Sequence, residues 1–375
     1  MLRILQLNSA RKYVGEAAHT LNLTEALRRR GHSVWLGLRS GFETIEKAQA
    51  RKLDPVGFHM PHRWWPPQDG PDIRHIAKLV REHKIELIHA HRGKDHWQAV
   101  LAVKLFRLNV PVVRTRHVVT PLSGNPANRW LAKRTAAMVV VSKAVEVDVA
   151  GTAMYGSKTH FIPGGIDLDL FKPAIAEERR LARERLKLAP EVPVAICVAR
   201  FAMIKAHEVL LAAWKIVQSA LPNARLLLVG GGHLMEQNIL KAHTLGVKDS
   251  VMFLGKRDDV PELLSAADLG VLSSIGSEGF SRAVLEYMSK GLPTVGTRVG
   301  AVPDLIEHGV NGWLVPHADD EALGRAILEA LTMQPEQRQA LGRAARKKAE
   351  RGYGFDAWAR KHEELYIGCQ GAAGK

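Results

Sequence analysis

The feature that most constrains the fold is the regular alternation of short apolar runs with longer amphipathic runs. In the first half, RILQLNS, SVWLGLR and PVVRTRH are typical of strands, whereas AAHTLNLTEALRRRG and HWQAVLAVKLFRLN are typical of helices. In the second half, VPVAICVAR and ARLLLVG predict strands, and HEVLLAAWKIVQSA and MEQNILKAHTLG predict helices. Strands that alternate with helices form mainly parallel sheets covered by helices. The sequence therefore predicts an α/β protein with doubly wound sheets.

The length of 375 residues exceeds what one hydrophobic core usually supports, so we expect two domains. The Gly- and Pro-rich segment FIPGGIDLDLFKP, residues 161–173, predicts the linker. We expect Rossmann-like domains over residues 1–163 and 164–352 that face each other across a cleft. A C-terminal helix within residues 353–375 is expected to pack back on the first domain. Ligands of such sheets bind beyond the carboxyl ends of the strands.

The net charge of +15 is concentrated in the first half of the chain. Residues 1–165 contain 26 Lys and Arg against 12 Asp and Glu, whereas the remainder contains 27 against 26. This asymmetry favours a polyanionic partner, such as an anionic membrane, an acidic glycolipid or nucleic acid. A basic, solvated surface is the alternative. Because no nucleic-acid module is recognisable, we expect no nucleic-acid partner.

Aromatic residues beside cations occur in this basic half, in HRWWPP and NRWLAKRTAAM. Trp64, Trp65 and Trp130, the last beside Lys133 and Arg134, suit a membrane interface. Core tryptophans next to solvated cations are an equally good interpretation.

Cysteine content and hydropathy predict the compartment. Cys197 and Cys369 give no disulfide framework and favour a reducing environment. The segment MLRILQLNSARK lacks the apolar core of a signal peptide, and the apolar runs AAMVVV and VPVAICVA are far shorter than the ~20 residues of a membrane helix. We expect a cytoplasmic protein, peripheral on the inner-membrane face if the basic half binds lipid.

The stretch SEGFSRAVLEYM follows the apolar run LGVLSS and enters a predicted helix near Ser281. Glu278 precedes this helix and Glu286 lies about one turn inside it, so the two carboxylates can contact different parts of one extended ligand. Free N–H groups at the helix start favour an anion, and Gly279 permits close approach of the backbone. Two solvated surface glutamates are the alternative interpretation.

Two cations and several glycines occupy comparable strand-to-helix turns. Arg200 and Lys205, in VARFAMIKAHEV, flank the turn after a strand and suit a diphosphate. The glycines of VGGGHL, residues 230–232, follow the next strand. Gly15 lies between the first strand and the first helix, where it could face the phosphates from the opposite wall.

These segments resemble the GT-B glycosyltransferases of family 4, also called group 1, which retain anomeric configuration. The E-x7-E element of that family resembles Glu278 to Glu286, and its G-R-x4-K-G element resembles residues 199–206, where alanine replaces both glycines. Its G-G-x-x-E element resembles residues 300–304, with a shortened acid and one glycine lost, and its N-G-V-D element resembles residues 164–167.

The resemblance implies a metal-independent hexosyltransferase that uses a UDP-, GDP- or ADP-sugar and no further cofactor. It implies that Arg200 and Lys205 hold the diphosphate and that Glu286 binds the ribose hydroxyls. Glu278 and the backbone of Gly279, Phe280 and Ser281 would bind the sugar and the phosphates. Gly255 would border the base, and His117 would lie near the transferred sugar. The group assigned to catalysis is thus His117, Glu278, Arg200 and Lys205.

A metal site is an alternative interpretation of the histidines. His89, His91, His96 and His117 could suggest one, but no carboxylate or cysteine stands at ligand spacing, so histidines at strand ends are the better account. Asp167 and Asp169 form a D-x-D pattern in the linker, where turn chemistry is expected. Residues 319–320 predict a helix start.

The sequence therefore predicts a glycosyltransferase that extends a glycan or glycolipid in cell-envelope, lipopolysaccharide-type biosynthesis. One alternative keeps the fold but has a small soluble acceptor. Another is a non-catalytic, polyanion-binding protein that retains a degenerate donor cleft.

Overall fold

The structure is a computed structural model that describes residues 1–62, 66–120, 122–152, 154–276 and 278–373. The chain divides into two compact units. Unit 1 comprises residues 1–165 together with 355–375, and unit 2 comprises residues 166–354. Each boundary lies two residues beyond the position predicted from the sequence.

Unit 1 contains a seven-stranded sheet in the order β3-β2-β1-β4-β5-β6-β7, in which all paired neighbours are parallel. Its strands and their connecting helices are β1 (Arg3–Asn8), α1 (Gly15–Arg29), β2 (Ser33–Arg39), α2 (Glu43–Ala50), β3 (Val56–Phe58), α3 (Pro66–Glu82), β4 (Leu87–Ala90), α4 (Gly93–Leu105), β5 (Val112–Arg116), α5 (Pro126–Lys133), β6 (Ala137–Val140), α6 (Lys143–Ala150) and β7 (Thr159–Phe161).

Unit 2 contains a six-stranded sheet in the order β10-β9-β8-β11-β12-β13, again with parallel neighbours. Its elements are α7 (Ala176–Arg185), β8 (Val194–Val198), α8 (His207–Ala220), β9 (Arg225–Val229), α9 (Met235–Thr244), β10 (Val251–Gly255), α10 (Val260–Ala266), β11 (Leu269–Leu272), α11 (Arg282–Ser289), β12 (Thr294–Thr297), α12 (Val302–Leu305), β13 (Gly312–Val315), α13 (Asp320–Thr332) and α14 (Pro335–Gly352).

A final helix, α15 (Phe355–Ala373), belongs to unit 1. Its Trp358 and Tyr366 are fully buried in one core with Ile4 and Val113 of the sheet. On the other face of the sheet, α3 and α4 cover a second core that includes Leu5. Helices thus cover both faces, as the apolar strand runs predict.

Unit 2 likewise buries apolar side chains on both faces of its sheet. Trp214 of α8 lies in a core with β-strand residues such as Leu228, and Tyr287 of α11 lies in the opposite core. The predicted α/β class with two Rossmann-like, doubly wound sheets is therefore confirmed.

Local turn chemistry agrees with two of the smaller predictions. The Oδ1 of Asp167 accepts hydrogen bonds from the backbone N–H groups of Asp169 and Leu170, both at 3.1 Å, which makes this pattern a turn. Asp319 caps α13, because its side chain accepts a 2.8 Å hydrogen bond from the N–H of Ala322.

Each sheet reverses its strand order once, between β1 and β4 in unit 1 and between β8 and β11 in unit 2. In open parallel sheets, the loops that leave the two strands at such a point diverge to opposite faces and leave a crevice between them. In each unit the crevice lies outside the carboxyl ends of the strands, where the candidate residues of that unit are found.

Candidate active site

The predicted site segments of unit 2 leave the two strands that flank its switch point. Arg200 and Lys205 follow β8, and Glu278 follows β11, which pairs with β8 through Leu269 and Ala195. Because the strands are parallel neighbours, their following loops meet at the same edge of the sheet. Topology therefore accounts for the proximity of segments more than 70 positions apart.

Hydrogen bonds join these two loops directly. The N–H of Ile275 donates to the carbonyl of Ile204 at 3.0 Å, and the Ser273 hydroxyl donates to the carbonyl of Lys205 at 2.8 Å. The Lys205 ammonium forms an ion pair with Oε1 of Glu278. The structure thus brings two of the predicted site residues into contact.

Glu278 is held almost out of solvent, with 5% of its surface exposed. The hydroxyl of Ser274 donates a 2.5 Å hydrogen bond to the same carboxylate oxygen that Lys205 contacts. The interpretation of Glu278 as a solvated loop glutamate is therefore wrong. Ser274 was missed because its relation to Glu278 depends on the path of the loop rather than on a motif.

Gly300 packs against the backbone of Glu278. A Cβ at Gly300 would lie 2.2 Å from the Glu278 carbonyl oxygen, and its φ of +50° is a left-handed conformation. The neighbouring N–H of Ala301 donates to that carbonyl at 2.7 Å. The glycine-containing element of residues 300–304 therefore supports the loop that carries Glu278.

Gly279, Phe280 and Ser281 lead into α11, with Ser281 at the N-cap position. The Ser281 side chain makes no capping hydrogen bond, and its buried hydroxyl oxygen has no partner within the described part of the chain. The first N–H groups of a helix lack intrahelical acceptors, and the helix dipole adds partial positive charge there. This helix start can accept an anionic group.

Glu286 lies on α11 with 5% of its surface exposed, so it is not an exposed helical glutamate. Burial raises the pKa of its carboxyl group, and Arg282 opposes that rise by charge and by a 2.7 Å hydrogen bond from its Nε. Arg282 was missed, although its i,i+4 spacing from Glu286 on a predicted helix was a readable signal.

Arg200 and Gly255 lie at the same edge of the sheet. Arg200 is exposed in the turn after β8, and Gly255 ends β10 with a φ of +66°. The Gly255 carbonyl accepts a 2.8 Å hydrogen bond from Gly230, the first glycine of the turn after β9. Among the described residues, no hydrogen bond or ion pair joins the Lys205–Glu278 pair to Arg200, Gly255 or Glu286.

Unit 1 presents Gly15 and His117 at the carboxyl edge of its own sheet. Gly15 is the first residue of α1, and a Cβ added there would meet no atom within 4 Å. His117 follows β5, with its Nε2 3.3 Å from Nδ1 of His91. Burial, together with the charges of Arg114 and Arg92, lowers the pKa of His117 to about 3. The imidazole is therefore neutral at pH 7.

His117 belongs to a group of buried histidines that the sequence analysis identified only in part. Nitrogen atoms of His19, His91 and His117 all lie within 4.8 Å of one another, close enough to consider a metal ion. The positive charge of Arg114, which helps to lower the pKa of His91 and of His117, disfavours a cation there. His19 was missed because it lies on α1, far from the strand-end histidines in sequence.

The other two histidines weighed for a metal have different partners. His89 contacts the hydroxyls of Tyr366 and Thr115, both at 2.7 Å, and Nε2 of His96 contacts the hydroxyl of Thr135 at 2.8 Å. That no metal takes part stays a prediction.

In the aromatic and basic segment around Trp130, the tryptophan is half-buried and Lys133 and Arg134 are exposed. The Trp130 ring stacks on Trp97, with centroids 5.8 Å apart, and the guanidinium of Arg134 lies 4.1 Å from its centroid. Trp64 and Trp65 lie outside the described residues. None of the helices in the described ranges combines the length and the apolar character that a membrane span requires.

Two family models match the chain, one on each unit. The model described as "Glycosyltransferase Family 4" matches residues 14–170, and that described as "Glycosyl transferases group 1" matches residues 178–348. Together with the fold, they show the class of protein. The chain belongs to the group 1 glycosyltransferases of GT-B fold, and it transfers a sugar.

Individual relatives agree with this class. The chain is 27% identical to the putative glycosyltransferase EpsD of Bacillus subtilis over 78% of this chain and 80% of that protein. It is also 27% identical to N-acetyl-alpha-D-glucosaminyl L-malate synthase of Bacillus anthracis, over 80% of each chain. Among solved structures, Anabaena HepE in complex with UDP has a TM-score of 0.84 and 22% identity, covering 98% of this chain and 100% of that chain.

Proposed function

We propose that the protein is a retaining, metal-independent hexosyltransferase. It takes a sugar from a nucleoside-diphosphate donor and transfers it to a glycan or lipid-linked acceptor in cell-envelope polysaccharide synthesis of the lipopolysaccharide type. No cofactor beyond the UDP-, GDP- or ADP-sugar is needed. The observation that supports this most directly is the contact between the β8 and β11 loops, which join Lys205 and Glu278 beside the start of α11.

The donor diphosphate binds between these groups. Within the described residues, Glu278 is the hydrogen-bond partner of the Lys205 ammonium, which has three N–H donors, so two of them are available to a phosphate oxygen. Arg200, exposed in the turn after β8, supplies a second cation. The N–H groups at the start of α11, beside Gly279, Phe280 and Ser281, supply hydrogen-bond donors that need no rearrangement.

The remaining parts of the donor use the carboxylates and one glycine. Glu286 accepts hydrogen bonds from the ribose hydroxyls, because a carboxylate is an acceptor for several donors at once. Glu278 contacts the transferred sugar, and Gly255 lies beside the base. Gly15 and the neutral His117 of unit 1 act on the phosphates and on the transferred sugar, respectively.

Transfer breaks the bond between the anomeric carbon and the phosphate oxygen, and the electron pair leaves with the nucleoside diphosphate. The acceptor hydroxyl attacks the anomeric carbon on the same face, which retains configuration, and its proton passes to a phosphate oxygen. Positive charge develops on the sugar while negative charge develops on the leaving phosphate. Lys205, Arg200 and the helix start stabilise the negative charge.

Known relatives are consistent with a nucleotide donor but leave the acceptor open. HepE was solved in complex with UDP and also with UDP-glucose. The name of the Bacillus anthracis relative includes L-malate, which favours the alternative of a small soluble acceptor. The charge excess of residues 1–165 favours an acceptor on, or near, an anionic membrane.

Titration with UDP-, GDP- and ADP-sugars tests the donor. We expect saturable binding of one of them, at least about tenfold weaker in Lys205→Ala and in Glu286→Ala, because each variant removes a charge-assisted hydrogen bond. Lys215→Ala and Glu336→Ala, which change exposed residues on α8 and α14, are the matched controls and should bind as the wild type does. Absence of binding by any nucleotide sugar contradicts the proposal.

A separate experiment tests whether the protein binds to an anionic membrane. Sedimentation with vesicles that contain phosphatidylglycerol should carry the protein down, and raising the salt from 50 to 500 mM should release it, because screening weakens attraction between surface charges. Equal behaviour with neutral vesicles contradicts the membrane part and favours the soluble acceptor. Release of nucleoside diphosphate during incubation with donor and acceptor distinguishes an enzyme from a polyanion-binding protein.

A further inference from the structure

Arginines gather at the carboxyl edge of the unit 1 sheet. Arg39 is the last residue of β2, Arg92 follows β4 at the N-cap of α4, and Arg114 and Arg116 lie at the end of β5. Arg11 lies in the loop between β1 and α1. The strands β2, β1, β4 and β5 are consecutive neighbours and parallel, so these five residues, the arginine cluster, share one edge.

Like charges within the cluster lower the pKa values of two of its members. Burial lowers the pKa of Arg39, and the charges of Arg11 and Arg92 lower it further. Burial also lowers the pKa of Arg114 to about 10, and Arg116 adds to that effect although nearby acidic groups oppose it. Gathering like charges in a partly dry site is unfavourable unless an anion joins them.

Three members of the cluster have buried N–H groups without an acceptor. Within the part of the chain that the structure describes, Nη1 of Arg114, Nε of Arg116 and Nε of Arg39 lack hydrogen-bond partners. Arg114 and Arg116 are 8% and 7% exposed. Leaving a buried donor of a charged group unpaired is unfavourable, so these N–H groups are available to an anionic acceptor.

Acidic side chains near the cluster offset part of its charge. Glu16 forms an ion pair with Arg92. Asp95 accepts a 2.7 Å hydrogen bond from the hydroxyl of Ser9 and another, also at 2.7 Å, from the N–H of His91. Asp95 and Glu16 oppose the lowering of the Arg114 pKa, and Asp148 opposes that of Arg116. With Asp72 acting on Arg39, these four acids face five arginines, so positive charge remains in excess.

We propose that the arginine cluster binds a phosphate or pyrophosphate group carried by the acceptor. The planar guanidinium matches two phosphate oxygens at once, and several guanidinium groups at one edge of a sheet suit an anion with more than one charge. As a statement about the acceptor, the inference rests on the proposed function. The donor is assigned to unit 2. His117, which is assigned to the transferred sugar, has its pKa lowered by the charges of Arg114 and Arg92.

Calorimetric titration with inorganic pyrophosphate, at constant ionic strength and with excess UDP present to occupy the donor site, tests the cluster. We expect one bound pyrophosphate per chain, with affinity reduced at least about tenfold in Arg39→Gln and in Arg116→Gln. Arg81→Gln is the matched control, because Arg81 is an exposed arginine in the last turn of α3, outside the arginine cluster. This substitution should leave the affinity unchanged.

Arg114→Gln should have the largest effect if it folds, which circular dichroism and the melting temperature report. If it does not fold, Arg39→Gln and Arg116→Gln decide the question. The inference is overturned if the wild type binds neither pyrophosphate in this titration nor phosphatidic acid vesicles in the assay below, or if every variant binds with equal affinity. Pyrophosphate binding without any UDP or nucleotide-sugar binding supports the cluster while contradicting the proposed donor site, so the two failures are distinguishable.

Vesicles distinguish a soluble acceptor phosphate from one attached to a lipid. Vesicles that contain phosphatidic acid present a phosphate group at the lipid surface, whereas phosphatidylcholine vesicles carry no net charge. Binding to the first alone, lost in Arg116→Gln but kept in Arg81→Gln, assigns the site to a lipid-borne phosphate. Binding of free pyrophosphate with the same pattern of variants, and none to vesicles, assigns it to a soluble phosphorylated acceptor.

Discussion

At the scale of single residues, the Lys205–Glu278 pair is asymmetric. The Glu278 side chain is 5% exposed, whereas that of Lys205 is 23% exposed and can turn towards water. Lys205→Met should therefore destabilise unit 2 by about 2–4 kcal/mol, because a buried carboxylate loses its counter-charge. Glu278→Gln should cost less, about 1–2 kcal/mol, since the amide oxygen still accepts from Ser274 and the ammonium is partly solvated. Urea unfolding measures both values.

The exposed pair of Arg325 and Glu321 on α13 provides the comparison. Arg325→Met should change the free energy of unfolding by less than about 1 kcal/mol, because both side chains are solvated. If Lys205→Met has an effect as small as this, the Lys205–Glu278 pair is not a buried counter-charge interaction.

Ala206 stands where the related motif has glycine, and the structure shows the consequence. Its φ of +45° and ψ of +48° are left-handed, a conformation that costs about 1–2 kcal/mol for a residue with a Cβ. Ala206→Gly should stabilise unit 2 by about 0.5–1 kcal/mol, because the strain removed exceeds the loss of one buried methyl group. Thermal unfolding measures the difference.

Ala242→Gly is the opposite test, since Ala242 is buried within α9. Glycine there should destabilise unit 2 by about 1 kcal/mol or more through lost helix propensity and packing. The strain assigned to Ala206 is absent if the two substitutions change stability in the same direction.

At the scale of elements, sequence periodicity predicted the strands and helices with clear apolar patterns. The helices α1, α8 and α9 lie where their amphipathic runs placed them. The helix α7 was missed because AEERRLARER has almost no apolar stripe. Its anchors are polar: Arg179 and Arg183 bind Asp268 at 2.7 and 2.9 Å, a tertiary interaction that periodicity cannot indicate.

The candidate site was predictable to the same degree. Strand-loop-helix connections indicate which segments lie at the carboxyl edge, so the placing of Lys205 and Glu278 after adjacent strands follows from topology. The burial of Glu278, its bond to Ser274 and the orphan donors of Arg114 depend on side-chain packing across elements. Such contacts have no fixed spacing in the sequence.

The helix α15 supplies core side chains to a unit from which it is distant in sequence. Trp358 is 1% exposed and packs with residues of β1, α1 and β5. Trp358→Ala should destabilise unit 1 by about 3–5 kcal/mol, the usual effect of deleting a buried aromatic ring. Chemical denaturation followed by near-ultraviolet circular dichroism measures this change.

Ile367 lies on the same helix and is 56% exposed, so Ile367→Ala should change stability by no more than about 0.5 kcal/mol. A small effect of Trp358→Ala, similar to that of Ile367→Ala, contradicts the assignment of α15 to the core of unit 1.

At the scale of the whole molecule, the two units differ in how they respond to acid. Among the described residues of unit 1, the buried histidines with lowered pKa values are His19, His32, His89, His91, His96, His117 and His362. Burial is the largest cause for each, and the pKa of His362 falls to about 4. In unit 2, the corresponding case is His207, whose burial lowers its pKa to about 4.

In the unfolded chain these histidines bind protons near pH 6.5, whereas in the folded unit they remain neutral. Stability is therefore full above about pH 6.5 and falls as the pH drops below it, by up to about 1.4 kcal/mol per pH unit for each histidine. Urea unfolding between pH 7.5 and 5 should show unit 1 losing stability several times faster than unit 2. His96→Gln should make the free energy of unfolding of unit 1 less dependent on pH, by up to the contribution of one bound proton, about 1.4 kcal/mol per pH unit.

Of the eight tryptophans in the chain, Trp358 lies in the core of unit 1 and Trp214 in the core of unit 2, so the fluorescence lost on replacing one of them reports its own unit. Replacing each by phenylalanine in turn assigns the fluorescence transitions. Parallel loss of stability in both units over this pH range is incompatible with the protonation of buried histidines in unit 1.

The chain leaves unit 1 at residue 165 and returns to it at residue 355. A ribosome therefore makes all of unit 2 before it makes the helix that completes unit 1. During translation, unit 2 can reach its final packing before the ring of Trp358 packs into the core that contains Ile4 and Val113. The unit whose synthesis begins first is thus completed last. A ribosome paused before residue 355 holds an N-terminal sheet on which the apolar surface later covered by Trp358 is still open to water.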